Sequence, residues 1–462
     1  MIKDLLKNNI LLSAGAVISL LINIITMPII TRIYTPSEIG NFAALHVFTL
    51  ALFPILGMRM EIIFAQKIKS LNLKNIFFTT LIITFFLSVL SWIILFFSAK
   101  YLEQNLLLNY LSLIVSLALF LTFFENCIGI YNHLKLYKSI AIITTLGIFF
   151  QKLLQIIFGM YFNDKTLAIF LSYCIPALLL SLIMLFIINR EINFFKNINF
   201  DFNLLKRYKN HILYRTSYSL SNLFKDRLII ILIITFFSSE NAGLYSQSLG
   251  LLLIPATIFS MPIKTIITRE YNYNTKNTID MIVFVYKILI YLILPIYVFF
   301  FYNSSVIFPI IFGENWNGLS KVFNILSIPM FILIFSSALD RLYDVLNKQK
   351  YAFLFEALFG FLCFGGFFFM SYYNYSFIDA LKVNAIILFI FFTTFTVFIL
   401  KKAGQFGNFS KIIKYFIMQL IFCGLIFSNL IDNFSFSIIS IMILIIFGLY
   451  FLKRDTRNLL KI

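Results

Sequence analysis

From residue 8 to residue 452 the chain is written almost entirely as apolar runs of bilayer length, separated by short polar breaks. A helix needs roughly 20 apolar residues to cross the hydrocarbon. Fourteen runs meet that length: 8–31, 39–66, 75–98, 109–132, 139–161, 166–189, 211–236, 243–268, 279–302, 319–346, 352–373, 380–400, 412–430 and 436–452. They are continuous rather than alternating, which selects helices over strands. A bilayer admits only helices or closed barrels, because nothing in it satisfies a free backbone group. Composition removes the alternative of a soluble core: 61% of residues are hydrophobic and 12% charged, about half the charge of a soluble domain. The expected fold is an all-α polytopic membrane protein with about 14 transmembrane helices. The first run is too long for a signal-peptide core and lacks a small-residue cleavage site, so it reads as a retained span.

The formal net charge is +18, and topology explains it without nucleic acid. With the N-terminus in the cytoplasm, the inner loops and tails collect clusters such as Lys67–Lys69–Lys74, Lys206–Arg207–Lys209, Lys401–Lys402 and Lys453–Arg454–Arg457. The outer loops and their edges hold only Arg32, Lys100, Lys165, Lys321 and Lys382. Positive residues mark the cytoplasmic side, so both termini are expected there. The longest inner loop, Arg190 to Asn210, is a seam between halves. The longest outer loop, roughly Asn303 to Gly318, is too short for a domain. Cys127, Cys174, Cys363 and Cys423 all fall inside apolar runs, where cysteine behaves as a small hydrophobe. No disulfide framework or metal site is expected.

One polar turn occurs twice. Tyr34–Ala43 lies over Phe237–Ser246 without a gap: Tyr meets Phe, Thr35 meets Ser238, Gly40 meets Gly243, and Phe42 meets Tyr245. In the first copy Thr35 suits a helix cap, Pro36 the first helical position and Glu38 the third residue after the cap. Each copy opens a span at the outer surface. The spacing between them is six spans, an even number, so both copies enter with one orientation. Parallel repeats of this kind flank a substrate path in transporters. The expected organisation is a six-helix lobe (1–189), an inter-lobe loop (190–210), a second six-helix lobe (211–400), and two further helices with a tail (401–462).

Ionisable residues inside spans are costly and mark function by default. The basic ones are Arg59, Lys152, Arg215, Lys225, Arg227, Lys264, Lys287 and Arg341; the acids are Glu61, Glu125, Asp226, Asp340, Asp344 and Glu356. Lys152 and the Lys225–Asp226–Arg227 cluster lie near the middle of spans five and seven. The others lie shallower, where long side chains snorkel to the headgroups, and an Asp226–Arg227 bridge that only locks helices is a competing reading. Arg215, Ser219, Asn222 and Asp226 form one helical stripe; Gln151, Lys152 and Gln155 form a second polar patch. The positive excess suits an anionic cargo, phosphate above all. The substrate-binding set is therefore Arg59, Lys152, Arg215, Lys225, Arg227 and Lys264. His133 and His211 read as ordinary interface residues. No Walker loop, HExxH or GxSxG occurs, so neither an ATP-driven pump nor an enzyme is expected, and no cofactor. Glu125 and Asp226 are the candidates for coupling to H⁺ or Na⁺.

The stretches "PIITRIYTPSEIGNFA", "RMEIIFAQ" and "KDRLIIILIITFFSSENAGLYSQS" resemble the polysaccharide-export branch of the multidrug/oligosaccharidyl-lipid/polysaccharide (MOP) flippase superfamily, and within it the O-antigen (Wzx-type) flippases. The resemblance covers most of spans one to ten. It implies two six-helix bundles around a central cavity, undecaprenyl-diphosphate-linked oligosaccharide as cargo, the bacterial inner membrane as location, and a polysaccharide polymerase and chain-length regulator as partners. Arg59, Asp226 and Arg227 lie in the matching segments. Three other readings compete. A membrane-embedded polymerase or ligase would want a large outer loop with catalytic residues, and a drug/cation antiporter a neutral or acidic cavity. A lipid II flippase is a close relative. The orientation makes a direct prediction: alkaline phosphatase fused after Ile462 stays inactive, and an active fusion would overturn the span count or its orientation.

Overall fold

The structure, a computed structural model, describes residues 2–64, 70–101, 104–192, 200, 203–256, 264, 267, 282–284, 286–346, 348–404, 406–428 and 434–459. Among these there is helix and no strand, and the protein is an all-helical polytopic membrane protein of about 14 spans. Among the described residues, ten segments are long and apolar enough to cross a membrane. The helices are α1 Ile2–Ile33, α2 Pro36–Gly57, α3 Glu61–Phe64, α4 Ser70–Tyr101, α5 Asn105–His133, α6 Tyr137–Tyr161, α7 Lys165–Ile192, α8 Leu204–Arg207, α9 Lys209–Asp226, α10 Leu228–Phe236 and α11 Ser239–Leu252. Then come α12 Leu294–Phe312, α13 Leu319–Val345, α14 Gln349–Tyr372, α15 Phe377–Lys402, α16 Phe406–Ser428 and α17 Phe434–Leu459.

The chain divides into two compact units, Met1–Gly243 and Leu244–Ile462. In the first, α5 packs on α2, α3, α4 and α7, while α1 lies along α6. Small residues bring that last pair together: Gly15 faces Ala141, and the Thr145 hydroxyl donates to the Gly15 carbonyl at 3.2 Å. Lipid offers no hydrophobic drive for helix pairing, so close backbone approach must supply it. The lipid-side character of α4 is plain in its exposed Phe85, Phe86, Leu90, Ile94 and Phe97. In the second unit α13 packs between α12 and α15, and α14 on α15. Tyrosines tie this unit across its interior. Tyr343 donates to the Phe395 carbonyl at 2.8 Å and Tyr286 to that of Phe335 at 2.9 Å. All four cysteines are buried.

Three expected segments differ. Span two is not one helix to residue 66: α2 stops at Gly57, and Met58 and Arg59 take left-handed φ of 50° and 54°. Span seven is likewise broken, at Arg227 between α9 and α10. The stretch from Asn303 is not loop: α12 continues to Phe312, and only a 3-10 turn, Glu314–Trp316, separates it from α13. Trp316 is fully buried there, so the apolar residues beyond 302 serve a helix end rather than a surface. Before α12 a π-helical turn, Leu289–Ile293, leads into Pro295, which has no N–H to continue the ladder.

The repeated turn behaves as its chemistry predicts. Thr35 caps α2, and Glu38 returns a bond to the Thr35 nitrogen at 2.7 Å. In the second copy the Asn241 nitrogen donates to the Ser238 hydroxyl at 3.1 Å. Tyr34 adds an anchor of its own, donating to the Gln155 carbonyl at 2.7 Å in a space left by Gly159; burial holds its phenol above the usual range. The two copies also touch each other. A Cβ on Gly40 would strike the Ser239 carbonyl, and one on Gly243 would strike the Pro36 carbonyl. Ser239 is the second copy's counterpart of Pro36, so the contact is reciprocal, like a two-fold interface. Neither glycine has room for any side chain. G40A and G243A should each cost about 1–3 kcal/mol and lower the melting temperature in detergent. G250A, with nothing within 4 Å, should not; equal melting of all three would refute the contact.

Candidate functional site

The first unit gathers polar side chains at its two helix breaks. At the inner break, the last turn of α2 would leave its carbonyls bare in hydrocarbon. Neighbouring helices supply the donors. Thr216 of α9 reaches the Pro54 carbonyl at 3.5 Å, Thr84 of α4 the Leu56 carbonyl at 3.0 Å, and the Met60 nitrogen the Gly57 carbonyl at 3.0 Å. The His211 Nε2 stands 3.0 Å from the Arg59 carbonyl. Left-handed backbone at a non-glycine costs energy and persists only when its surroundings hold it; these bonds do so. The turn throws the Arg59 side chain toward Glu61, with Nη1 3.2 Å from Oε1, and over the Phe53 ring at 5.8 Å. Gly129 of α5 lets α3 approach, since a Cβ there would stand 2.6 Å from the Glu61 carbonyl. One turn earlier on α5, Glu125 enters the field of Glu61 and Arg59. Beside it Asn126 is fully buried, with neither amide atom bonded.

A second layer surrounds the α9–α10 junction. Arg227, at the α9–α10 junction, acts electrostatically on His46 of α2 and Tyr173 of α7. His46 stacks on Phe42 at 5.2 Å and meets Tyr173 at 5.7 Å. Tyr173 shares a hydrogen bond with Gln151 of α6. The next residue, Lys152, donates to the Gln155 side chain at 3.3 Å. His46 Nδ1 and the Arg59 Nε are buried without a partner. Polar groups left unsatisfied in a protein interior are expensive unless a ligand or water meets them.

The structure brings Arg59 together with Glu125, and Arg227 with the Gln151 side of the α6 patch, all in the first unit. Arg215 is exposed on α9. Lys225 and Asp226 close α9, and their side chains, like that of Asn222, lie outside the described residues. Lys264 belongs to the second unit and pairs with Asp340 at 2.8 Å. Sequence reasoning did not assign His46, Tyr173 or the role of Glu61, and took His211 as an ordinary interface residue. Glu61 and His46 both sit on span two, and that coincidence was the available signal; the pairing of His211 with a backbone carbonyl had none.

Half-buried cations inside a many-helix membrane unit are the feature to set beside the chain's comparisons. Its sequence matches the polysaccharide biosynthesis protein family over residues 29–321, more than half its length, and it belongs to that family. No curated protein sequence matches it. Its fold is that of the MOP flippases and transporters. It is similar to a structure described as lipid II flippase MurJ in an inward closed conformation, with TM-score 0.74 and 11% identity, over 97% of this chain and 99% of that one. It is also similar to an inward-facing multidrug resistance MATE transporter of the MOP superfamily, at 0.62 and 11%, over 84% and 96%. A third likeness, at 0.54 and 12% over 86% and 95%, is to a MOP transporter from Pyrococcus furiosus described as having a binding pocket of reversed polarity. At these identities the likeness is one of fold.

The inner layer makes a stability prediction. R59A leaves Glu61 and Glu125 facing each other without their guanidinium and should cost about 1–3 kcal/mol. Adding E61Q should recover most of that loss in thermal melts; a double variant as unstable as the sum of both singles would show that Arg59 and Glu61 are not coupled.

Proposed function

We propose that this protein flips undecaprenyl-diphosphate-linked oligosaccharide repeat units, of O-antigen or a similar surface polysaccharide, from the inner to the outer leaflet of the bacterial inner membrane. Transport runs by alternating access through a cationic central cavity. The observation that carries the reading is Arg227: a guanidinium at a helix break deep in an apolar span, beside His46 and Tyr173, in a chain of the polysaccharide biosynthesis family. A broken helix in a membrane is tolerated where it lines a cavity. Fixed cations there favour a phosphate or carboxylate cargo.

In this reading Arg59, Lys152, Arg215, Lys225 and Arg227 receive the diphosphate and acidic sugars, and Lys264 joins them on leaving Asp340. Glu125 and Asp226 take the H⁺ or Na⁺ that couples transport to a gradient. Residues 1–189 and 211–400 act as the two lobes, both termini are cytoplasmic, and a polymerase with its chain-length regulator takes the flipped unit.

The test is the fate of the lipid-linked intermediate in a strain lacking this protein, with leaflet probing and mass spectrometry of the sugar chain. Single units trapped on the cytoplasmic leaflet support the proposal. Single unpolymerised units on the outer leaflet mean a polymerase, and accumulated lipid II means a peptidoglycan-precursor flippase; either removes it. Complementation adds a prediction. Each charge-assisted contact is worth about 1.5–3 kcal/mol, so K152A/R227A should insert normally and restore export at least about tenfold less well than wild type. Full restoration would end the role of these cations.

A further inference from the structure

α9 exposes a surface unlike that of its neighbours. The exposed faces of α4 and α6 are apolar, with Phe85, Phe86, Ile94, Phe149, Phe150 and Leu153, as contact with lipid tails favours. α9 instead exposes Tyr214, Arg215, Ser217 and Tyr218 beside a single Leu213, and it is not among the ten apolar segments. A guanidinium and a serine hydroxyl facing hydrocarbon are costly, so this face meets water. The other side of α9 is held against α2: Thr216 donates to the Pro54 carbonyl at 3.5 Å, and Ile212 and Leu223 are half-buried with it. By the helical step of about 100° per residue, Tyr214, Ser217, Tyr218 and Ser221 fall in one arc opposite Leu223.

Within that arc rings and hydroxyls run side by side. Tyr214 and Tyr218 are one turn apart, and so are Ser217 and Ser221. Tyr214 is 70% exposed; Tyr218 keeps further contacts within the protein and is still 41% exposed. Ser221 donates to the Ser217 carbonyl at 3.0 Å, which fixes its hydroxyl and leaves the oxygen to accept. A phenol ring has an electron-rich face, which suits the C–H face of a sugar ring, while hydroxyls beside it meet the hydroxyls of the sugar. Tyrosine offers that area with little side-chain entropy to lose. Arg215, at the margin, suits a sugar carboxylate.

Position along the helix says which sugar. Arg227 directly follows α9, and at about 1.5 Å per residue Tyr218 and Tyr214 lie about 13 and 20 Å from it along the axis. A diphosphate held at Arg227 and the first sugar fill the nearer part of that length. What reaches the tyrosines is the far end of an oligosaccharide.

We infer that Tyr214 and Tyr218 bind the sugars of the cargo beyond the one bonded to the diphosphate, and so set which oligosaccharides are carried. The inference rests on the reading of Arg227 as a diphosphate ligand. Two probes separate the parts: a polyprenyl diphosphate bearing one sugar, and the same lipid bearing a complete native repeat unit. Binding of each to the full-length protein in nanodiscs is measured by calorimetry. Wild type should bind the longer probe more tightly. Y214A/Y218A should lose about tenfold in affinity for the longer probe and nothing for the shorter one. Y214F/Y218F, which keeps both rings, should recover most of that loss. Wild type that binds both probes equally overturns the inference, and this arm needs no variant to fold. Unchanged binding of the longer probe by Y214A/Y218A, or equal loss for both probes, also overturns it and leaves the diphosphate reading standing. Absence of wild-type binding to either probe removes the diphosphate reading and the inference together.

Discussion

The bond between the His211 imidazole and the Arg59 carbonyl joins helix ends 152 residues apart in a solvent that offers no substitute donor. Everything particular to the first unit's inner half depends on keeping a broken helix satisfied there. Once α2 stops at Gly57, the carbonyls of its last turn must be met, and α4, α9 and the following turn meet them. The turn that results aims a guanidinium at Glu61 instead of at the headgroups. A straight helix would have carried Arg59 on a face set by its 100° step, and Glu61 with it to the opposite side.

The same economy operates where α2 and α11 begin, through shape rather than hydrogen bonding. Gly40 and Gly243 bring two helix starts to backbone contact, each against the residue that corresponds to the other's first position. Gly15 does the same between α1 and α6, and Gly129 between α5 and α3. In a bilayer, where Phe and Leu gain little by leaving lipid for protein, these contacts carry the specificity of packing. The large apolar side chains then serve two masters. Those of α4 face lipid, while Leu56, Ile114 and Leu117 fill the unit's interior.

Two of the first unit's cations sit where the backbone is irregular. Arg59 occupies a left-handed turn and Arg227 a junction. This is the arrangement expected when irregular backbone and polar side chains share one solvated space. It also explains why the two cations differ in company. Arg59 pairs with a carboxylate, whereas Arg227 acts on His46 and Tyr173.

How much was legible beforehand divides along physical lines. Hydropathy carried the spans, because a bilayer dictates length and polarity locally. The capping box at Thr35 was readable because its partners are three residues apart. The depth of Lys152 and Arg227 followed from counting along a helix. What was not read was the interruption of spans two and seven: Pro54 and Gly57 precede the first break, but a lone proline or glycine is tolerated in a membrane helix, and "FKDRLIII" carries neither residue at the second. Nor was the meeting of Arg59, Glu61, Glu125 and His211, contributed by three helices and one turn of the first unit. The sequence by itself determined that this chain is a many-helix membrane protein and which polar residues it must hide. Tertiary structure alone decided which of them find one another, because that depends on where a helix is allowed to break, and only distant donors make the break affordable.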